Sequence, residues 1–218
     1  MLVDHLVYYL IHQEGMKWRA ADYKARGVVK CVKNEEFKGT FQTRLGGREG
    51  QYSFATRQKF LSALWPHMAT RICAVLNNAK VAIVPVPNSD ATVQSTGEYK
   101  TLKYARAIAQ HSGGKLTAVD ALRWQTAQSP QHKAKGRRDP GVRFSNLRLI
   151  ETPKTPVVLF DDFFTSGASL VAAYWRLDEA GATPLRAFVI GRQTDTQEPK
   201  MTQWGSEDLP IPTGRPLF

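Results

Sequence analysis

Val157-Val158-Leu159-Phe160-Asp161-Asp162-Phe163-Phe164-Thr165-Ser166-Gly167-Ala168-Ser169-Leu170 is the stretch whose reading decides the fold. It opens as an apolar run, meets two adjacent carboxylates, passes through small hydroxyl-bearing residues and then enters a helical pattern. Val157 to Phe160 have the unbroken apolar character of a strand buried on both faces, as in a parallel sheet. Asp161 and Asp162 then stand at its carboxyl end, where open α/β sheets place their ligands. Thr165 to Ser169 form the strand-to-helix turn. Gly167 lets a ligand approach the backbone closely, the hydroxyls add donors, and the first amides of the next helix point at whatever anion sits there. Carboxylates suit ribose hydroxyls and hydrated Mg²⁺, while the turn suits a phosphate. Together they describe a cradle for a sugar phosphate.

Outward from this stretch the pattern alternates. Leu170, Ala173, Tyr174 and Leu177 make a helical apolar stripe, with Gly181 where a C′ glycine belongs. Thr183 to Ile190 reads as the next strand, which completes a βαβ unit of a parallel sheet. Upstream, Val81 to Val84 is a strand followed by a shaped loop, Pro85-Val86-Pro87-Asn88-Ser89. Thr101 to Gln110 is helical, ended by Gly113-Gly114, and Lys115 to Arg123 reads as one strand. Thr56 to Asn78 has helical spacing, with Pro66 expected to start or kink a segment and His67 expected to be packed or solvated. Leu45 to Gly50 reads as a loop. Residues 1 to about 50 otherwise carry little legible pattern.

Between Trp124 and Gly141 lies a polar stretch too long for a mere connector. It holds Lys133, Lys135, Arg137 and Arg138. Its basic content suits a lid that closes on an anionic leaving group and excludes water.

The opening stretch resembles the phosphoribosyl diphosphate (PRPP) motif of type I phosphoribosyltransferases: four apolar residues, two acids, an apolar residue, any residue, then Thr-Thr/Ser-Gly-any-Thr/Ser. Every position is matched, with Phe163 and Phe164 as bulkier choices that could narrow the phosphate site. Val84-Pro85-Val86-Pro87 is similar to the ComF-like branch of that family, which is associated with bacterial competence. That branch has Arg-Gly-Phe-Asn where this chain has Ser95-Thr96-Gly97-Glu98-Tyr99, and N-terminal zinc cysteines that are absent here. The resemblance implies a Rossmann-like α/β fold, with a mostly parallel sheet flanked by helices. A hood-like region would cover 1–78, the core 79–195 and a tail 196–218.

It further implies transfer of phosphoribose from PRPP to an unidentified nitrogenous acceptor, releasing diphosphate, with Mg²⁺ as cofactor. Asp161 and Asp162 would be the groups essential to catalysis, holding the ribose hydroxyls and, directly or through water, Mg²⁺. Thr165, Ser166, Gly167, Ala168 and Ser169 would hold the 5′-phosphate, and Asn88 and Ser89 the diphosphate. Lys135, Arg137 and Arg138 would belong to the lid, and Gln128, Arg138 and Asn146 could match the branch's Gln, Arg and Asn. A homodimer is compatible with the family. A non-catalytic PRPP or nucleotide sensor, or a competence-type DNA-associated protein, would use the same fold.

The composition frames these readings. The 218 residues suit one α/β domain, or a domain plus a small appendage, and 42% hydrophobic with 22% charged residues is globular usage. No apolar run reaches membrane-spanning length. Cys31 and Cys73 have no CxxC neighbour, and no disulfide framework or cysteine-based zinc site can be read from them. The start of the chain lacks a secretory signal pattern, so a cytoplasmic protein is expected. A net charge of +11 and a pI near 9.8 permit a nucleic-acid partner. They do not favour one, because no recognition motif accompanies the charge.

Overall fold

The protein is described here by a computed structural model, which covers residues 1–11, 14–128 and 139–214. Its central sheet has six strands in the order β10-β1-β9-β8-β4-β5. These are β1 (Leu2–Leu10), β4 (Val81–Pro85), β5 (Leu116–Ala118), β8 (Val157–Phe164), β9 (Pro184–Thr194) and β10 (Gly205–Asp208). All neighbours pair in parallel except β10, which runs antiparallel to β1. β8 lies inside the sheet between β9 and β4, which explains its unbroken apolar run.

Alternate side chains of the inner strands enter two cores, as the two-residue period of a strand requires. Val81, Ile83, Val158, Phe160, Phe188 and Ile190 pack under helices α1 (Ala20–Lys33), α2 (Arg57–Val75) and α3 (Lys100–Gln110). Ala82, Val84, Val157, Leu159, Ala187 and Val189 pack under α5 (Ala168–Glu179), joined by Phe144 of the short helix α4 (Pro140–Asn146). The sheet is therefore covered by helices on both faces, as expected.

Several local expectations change. The central strand runs on to Phe164, so Asp161 and Asp162 lie within its last turn of pairing and not beyond its end. Lys115 to Arg123 is not one strand: β5 ends at Ala118, and Leu122–Trp124 (β6) leaves the sheet to pair with Leu147–Leu149 (β7). The break falls at Asp120, whose carboxylate is held by the Arg123 guanidinium and the Tyr99 hydroxyl. Asp-Pro-Gly does not close a loop but opens α4: Asp139 Oδ1 accepts the Gly141 amide and Pro140 stands in the first turn. Leu45 to Gly50 is not all loop either. Only Gly46 and Gly47, both at positive φ, turn the hairpin between β2 (Phe41–Leu45) and β3 (Arg48–Tyr52). Pro66 sits inside α2 without ending it. His67 is packed, with its Nε2 3.1 Å from the Trp204 indole nitrogen and its Nδ1 3.2 Å from the Gly46 amide nitrogen; a neutral imidazole accepts from one of the two.

The ends of the chain also enter the sheet. β1, from the region read as hood-like, lies against β9, and β10, from the region read as tail, forms the sheet edge. Buried Asp4 makes this possible: it accepts from Arg186 of β9 and lies 3.8 Å from Arg71 of α2. Burying a carboxylate is costly unless such partners accompany it. Among the described residues no helix is long and apolar enough to cross a membrane.

Candidate functional site

The carboxyl ends of β4 and β8 open into one cavity of about 450 Å³. Asp161, Asp162, Thr165, Ser166, Gly167, Ala168, Ser169, Asn88 and Ser89 all line it. Residues 75 positions apart meet because adjacent parallel strands deliver their following loops to the same sheet edge.

The turn after β8 is built for close approach. Gly167 is in the left-handed region (φ 77°), and a Cβ there would come within 2.6 Å of Leu209 and 2.7 Å of Phe164. Arg192 of β9 donates to the Thr165 carbonyl at 2.8 Å, holding the turn from behind, and its guanidinium stacks over Phe164. No side chain caps α5, so its first-turn amides have no capping acceptor where Gly167 to Leu170 line the cavity. Arg143 of α4 reaches the same place: it is buried, its Nη1 donates to Ser169 Oγ at 2.8 Å, and its Nε has no partner.

The Pro85–Ser89 loop is equally fixed. Trp124 Nε1 donates to the Pro87 carbonyl, Asn88 Oδ1 accepts the Thr101 amide, and the Ser89 carbonyl accepts the Gln128 amide. Asn88 therefore spends its carbonyl on the start of α3, a role not foreseen from the sequence. Asn146 is likewise structural, bonded to Thr126 through both ends of its amide. Lys135, Arg137 and Arg138 lie outside the described residues.

The two carboxylates differ. Asp161 Oδ1 accepts the Asp162 amide at 2.8 Å. Removal from water, reinforced by the neighbouring Asp162 charge, pushes the Asp161 carboxyl well above the usual carboxylate range. Asp162 instead pairs with Lys100 of α3 at 2.5 Å. Burial opposes the Lys100 charge, yet the Asp162 carboxylate and its hydrogen bond hold the ammonium above its ordinary pKa. Lys100 and Arg143 were both missed in the sequence, where each reads as one more surface cation.

A second wall of the cavity is aromatic. Phe163 turns away from the Thr165–Ser169 turn and meets Tyr9 edge to face at 5.4 Å, with Lys33 Nζ 4.8 Å above its ring. The bulk of Phe163 thus shapes this wall and does not narrow the turn. Tyr9 donates to Gln193 at 2.9 Å, and burial, with the Asp162 charge, pushes its phenol to about 12.

No family model matches the chain, and no curated protein matches it. Among solved structures, the orotate phosphoribosyltransferase from Aeropyrum pernix is similar at 17% identity, covering 77% of this chain and 83% of that one, with a TM-score of 0.41. A hypoxanthine phosphoribosyltransferase from Staphylococcus aureus shares 7% identity over 83% of this chain and 77% of its own, with a TM-score of 0.40. An adenine phosphoribosyltransferase shares 13% over 80% and 89%, with a TM-score of 0.40. At these scores the likeness adds nothing to what the chain's own topology shows.

Proposed function

We propose that this cavity binds PRPP and that the protein transfers its phosphoribosyl group to a planar nitrogenous acceptor, releasing diphosphate. One observation carries the reading: paired acids, an uncapped helix start with its glycine turn, and a fixed second loop share a single cavity. The 5′-phosphate belongs on the Thr165–Ser169 turn, where amides, hydroxyls and Arg143 supply donors. Asp161 and Asp162 would accept from the ribose hydroxyls. The Val86–Ser89 loop and Lys100 face the diphosphate, and the Phe163–Tyr9 wall stacks the acceptor. Positioning and electrostatics would do the catalytic work, with charge at the anomeric carbon offset by the nearby carboxylates.

The donor set suits Mg²⁺ as a guest of the ligand. Two carboxylates, with no third acidic, histidine or cysteine ligand beside them among the described residues, match an ion that keeps waters and takes phosphate oxygens. Bound there, it would neutralise diphosphate charge, with Asp161 and Asp162 as its protein-side acceptors. The same reading keeps the kinship with the ComF-like branch, a cytoplasmic location and a dimer as its corollaries. It narrows the hood to α1 and the β2–β3 hairpin, since β1 belongs to the sheet.

Calorimetric titration with PRPP, with and without Mg²⁺, followed by a diphosphate-release screen over nucleobases, tests the proposal. Magnesium-dependent binding with release supports it. Binding without release for any base would mark a sensor, and absence of binding would remove the sugar-phosphate site altogether.

Arg143 supplies a separate prediction. Arg143→Met should weaken binding of any ribose 5-phosphate ligand by roughly tenfold or more, the scale of a hydrogen bond to a charged group. Thermal stability should hold or rise, because burial already pushes the guanidinium's pKa down and the substitution relieves that cost. A melting scan beside the titration checks both signs.

A further inference from the structure

Lys100 carries more than a structural ion pair. Its backbone is clamped: Asn88 Oδ1 accepts the next amide, that of Thr101, and Thr101 Oγ1 donates to the Val86 carbonyl at 2.6 Å. The start of α3 is thereby locked to the Pro85–Ser89 loop, and only the flexible lysine stem can move Nζ. That ammonium lies 2.5 Å from Asp162, with the lysine side chain 38% exposed and the aspartate 14%. Asp161 is the less available of the two acids, since one of its oxygens, Oδ1, already accepts the Asp162 amide. Asp162 Oδ2 is thus engaged by a cation, which makes the carboxylate a weaker acceptor for a sugar hydroxyl.

Resting on the PRPP reading above, we infer that Lys100 is a specificity-determining residue: the diphosphate of an incoming ligand draws it from Asp162, and the carboxylate so released accepts the ribose hydroxyls. An ammonium is a compact charge with three donors and no acceptor, so a diphosphate competes for it strongly. A ribose monophosphate brings nothing to draw the lysine away from the cavity's anomeric side and must compete with it for Asp162. Discrimination between the two ligands thus arises from a cost imposed on the wrong one as well as from a contact with the right one.

The test is titration of wild type, Lys100→Met and Lys100→Arg with PRPP, ribose 5-phosphate and inorganic diphosphate in the presence of Mg²⁺. In Lys100→Met, affinity for PRPP and diphosphate should fall by roughly tenfold or more, the scale of a lost charge-assisted contact. Ribose 5-phosphate should bind as well as before or better, so the ratio collapses, and Lys100→Arg should restore much of it. Equal losses for both sugar phosphates in a folded variant, or no change for PRPP, would overturn the inference while leaving the PRPP site standing. Wild type that binds neither sugar phosphate would sink the site reading itself. Should Lys100→Met not fold, the ¹⁵N resonance of the wild-type Lys100 ammonium decides. It should shift on adding inorganic diphosphate and not on adding ribose 5-phosphate; a resonance indifferent to diphosphate overturns the exchange.

Discussion

Gly167→Ala is expected to lower the melting temperature and abolish sugar-phosphate binding together. The added Cβ would meet Leu209 at 2.6 Å and Phe164 at 2.7 Å, and neither can retreat freely. Leu209 is buried in the segment whose amide is bonded to Met1, and Phe164 is buried under the Arg192 guanidinium. Left-handed backbone adds about 1–2 kcal/mol for a non-glycine residue, and overpacking typically adds about 1–3 kcal/mol. The sum, about 2–5 kcal/mol, is a large fraction of an ordinary domain's stability and corresponds to a drop of roughly 4–20 °C at this chain length. Binding suffers separately, because relief of the clash must move the turn to which the proposed function assigns the 5′-phosphate. Differential scanning calorimetry and PRPP titration on the same sample would show both losses. A variant that melts normally and binds PRPP normally would mean the turn is not the phosphate site.

The parts of this architecture that could be read from the sequence are those whose cause is local. Val157 to Phe160 announce a buried strand because both faces are covered, and α2, α3 and α5 show their buried stripes at helical spacing. The glycines at 113, 114 and 181 sit at positive φ after helix ends, as their positions suggested. What escaped depends on distant partners. β1 holds Asp4 and His5, both fully buried, and a carboxylate looks out of place in a strand until Arg186 and Arg71 are brought to Asp4. β10 is four residues with an alternating exposed pattern and exists as a strand only because β1 offers an edge. At the site, the acids and the glycine turn were legible as a contiguous string. Lys100 and Arg143 were not, since their partners stand 62 and 26 positions away and only the fold joins them.

The two acids should respond oppositely in stability and alike in function. Asp161→Asn removes a carboxylate that the fold disfavours as an anion, through burial first and the Asp162 charge second. The sign follows from proton counting. Below the unfolded carboxylate pKa, about 3.9, both states are protonated and the group is neutral to stability. Between that value and the raised folded value, the native state holds a proton that the unfolded chain has lost, so stability falls as pH rises, and above the window the whole cost is present. Asn at this position should therefore raise the melting temperature at neutral pH and flatten that acid-side slope. Asp162→Asn should instead lower the melting temperature modestly, because it leaves the partly exposed Lys100 ammonium without its partner. Under the proposed function, however, each substitution replaces a carboxylate acceptor for ribose hydroxyls, a loss of about 1.5–3 kcal/mol per hydrogen bond, so PRPP affinity should fall roughly ten- to a hundredfold in both. Melting scans from pH 3 to 8 beside titrations at pH 7 separate the effects. A destabilised Asp161→Asn would mean that its carboxylate serves the fold, and retained PRPP affinity in both variants would remove the acids from the site.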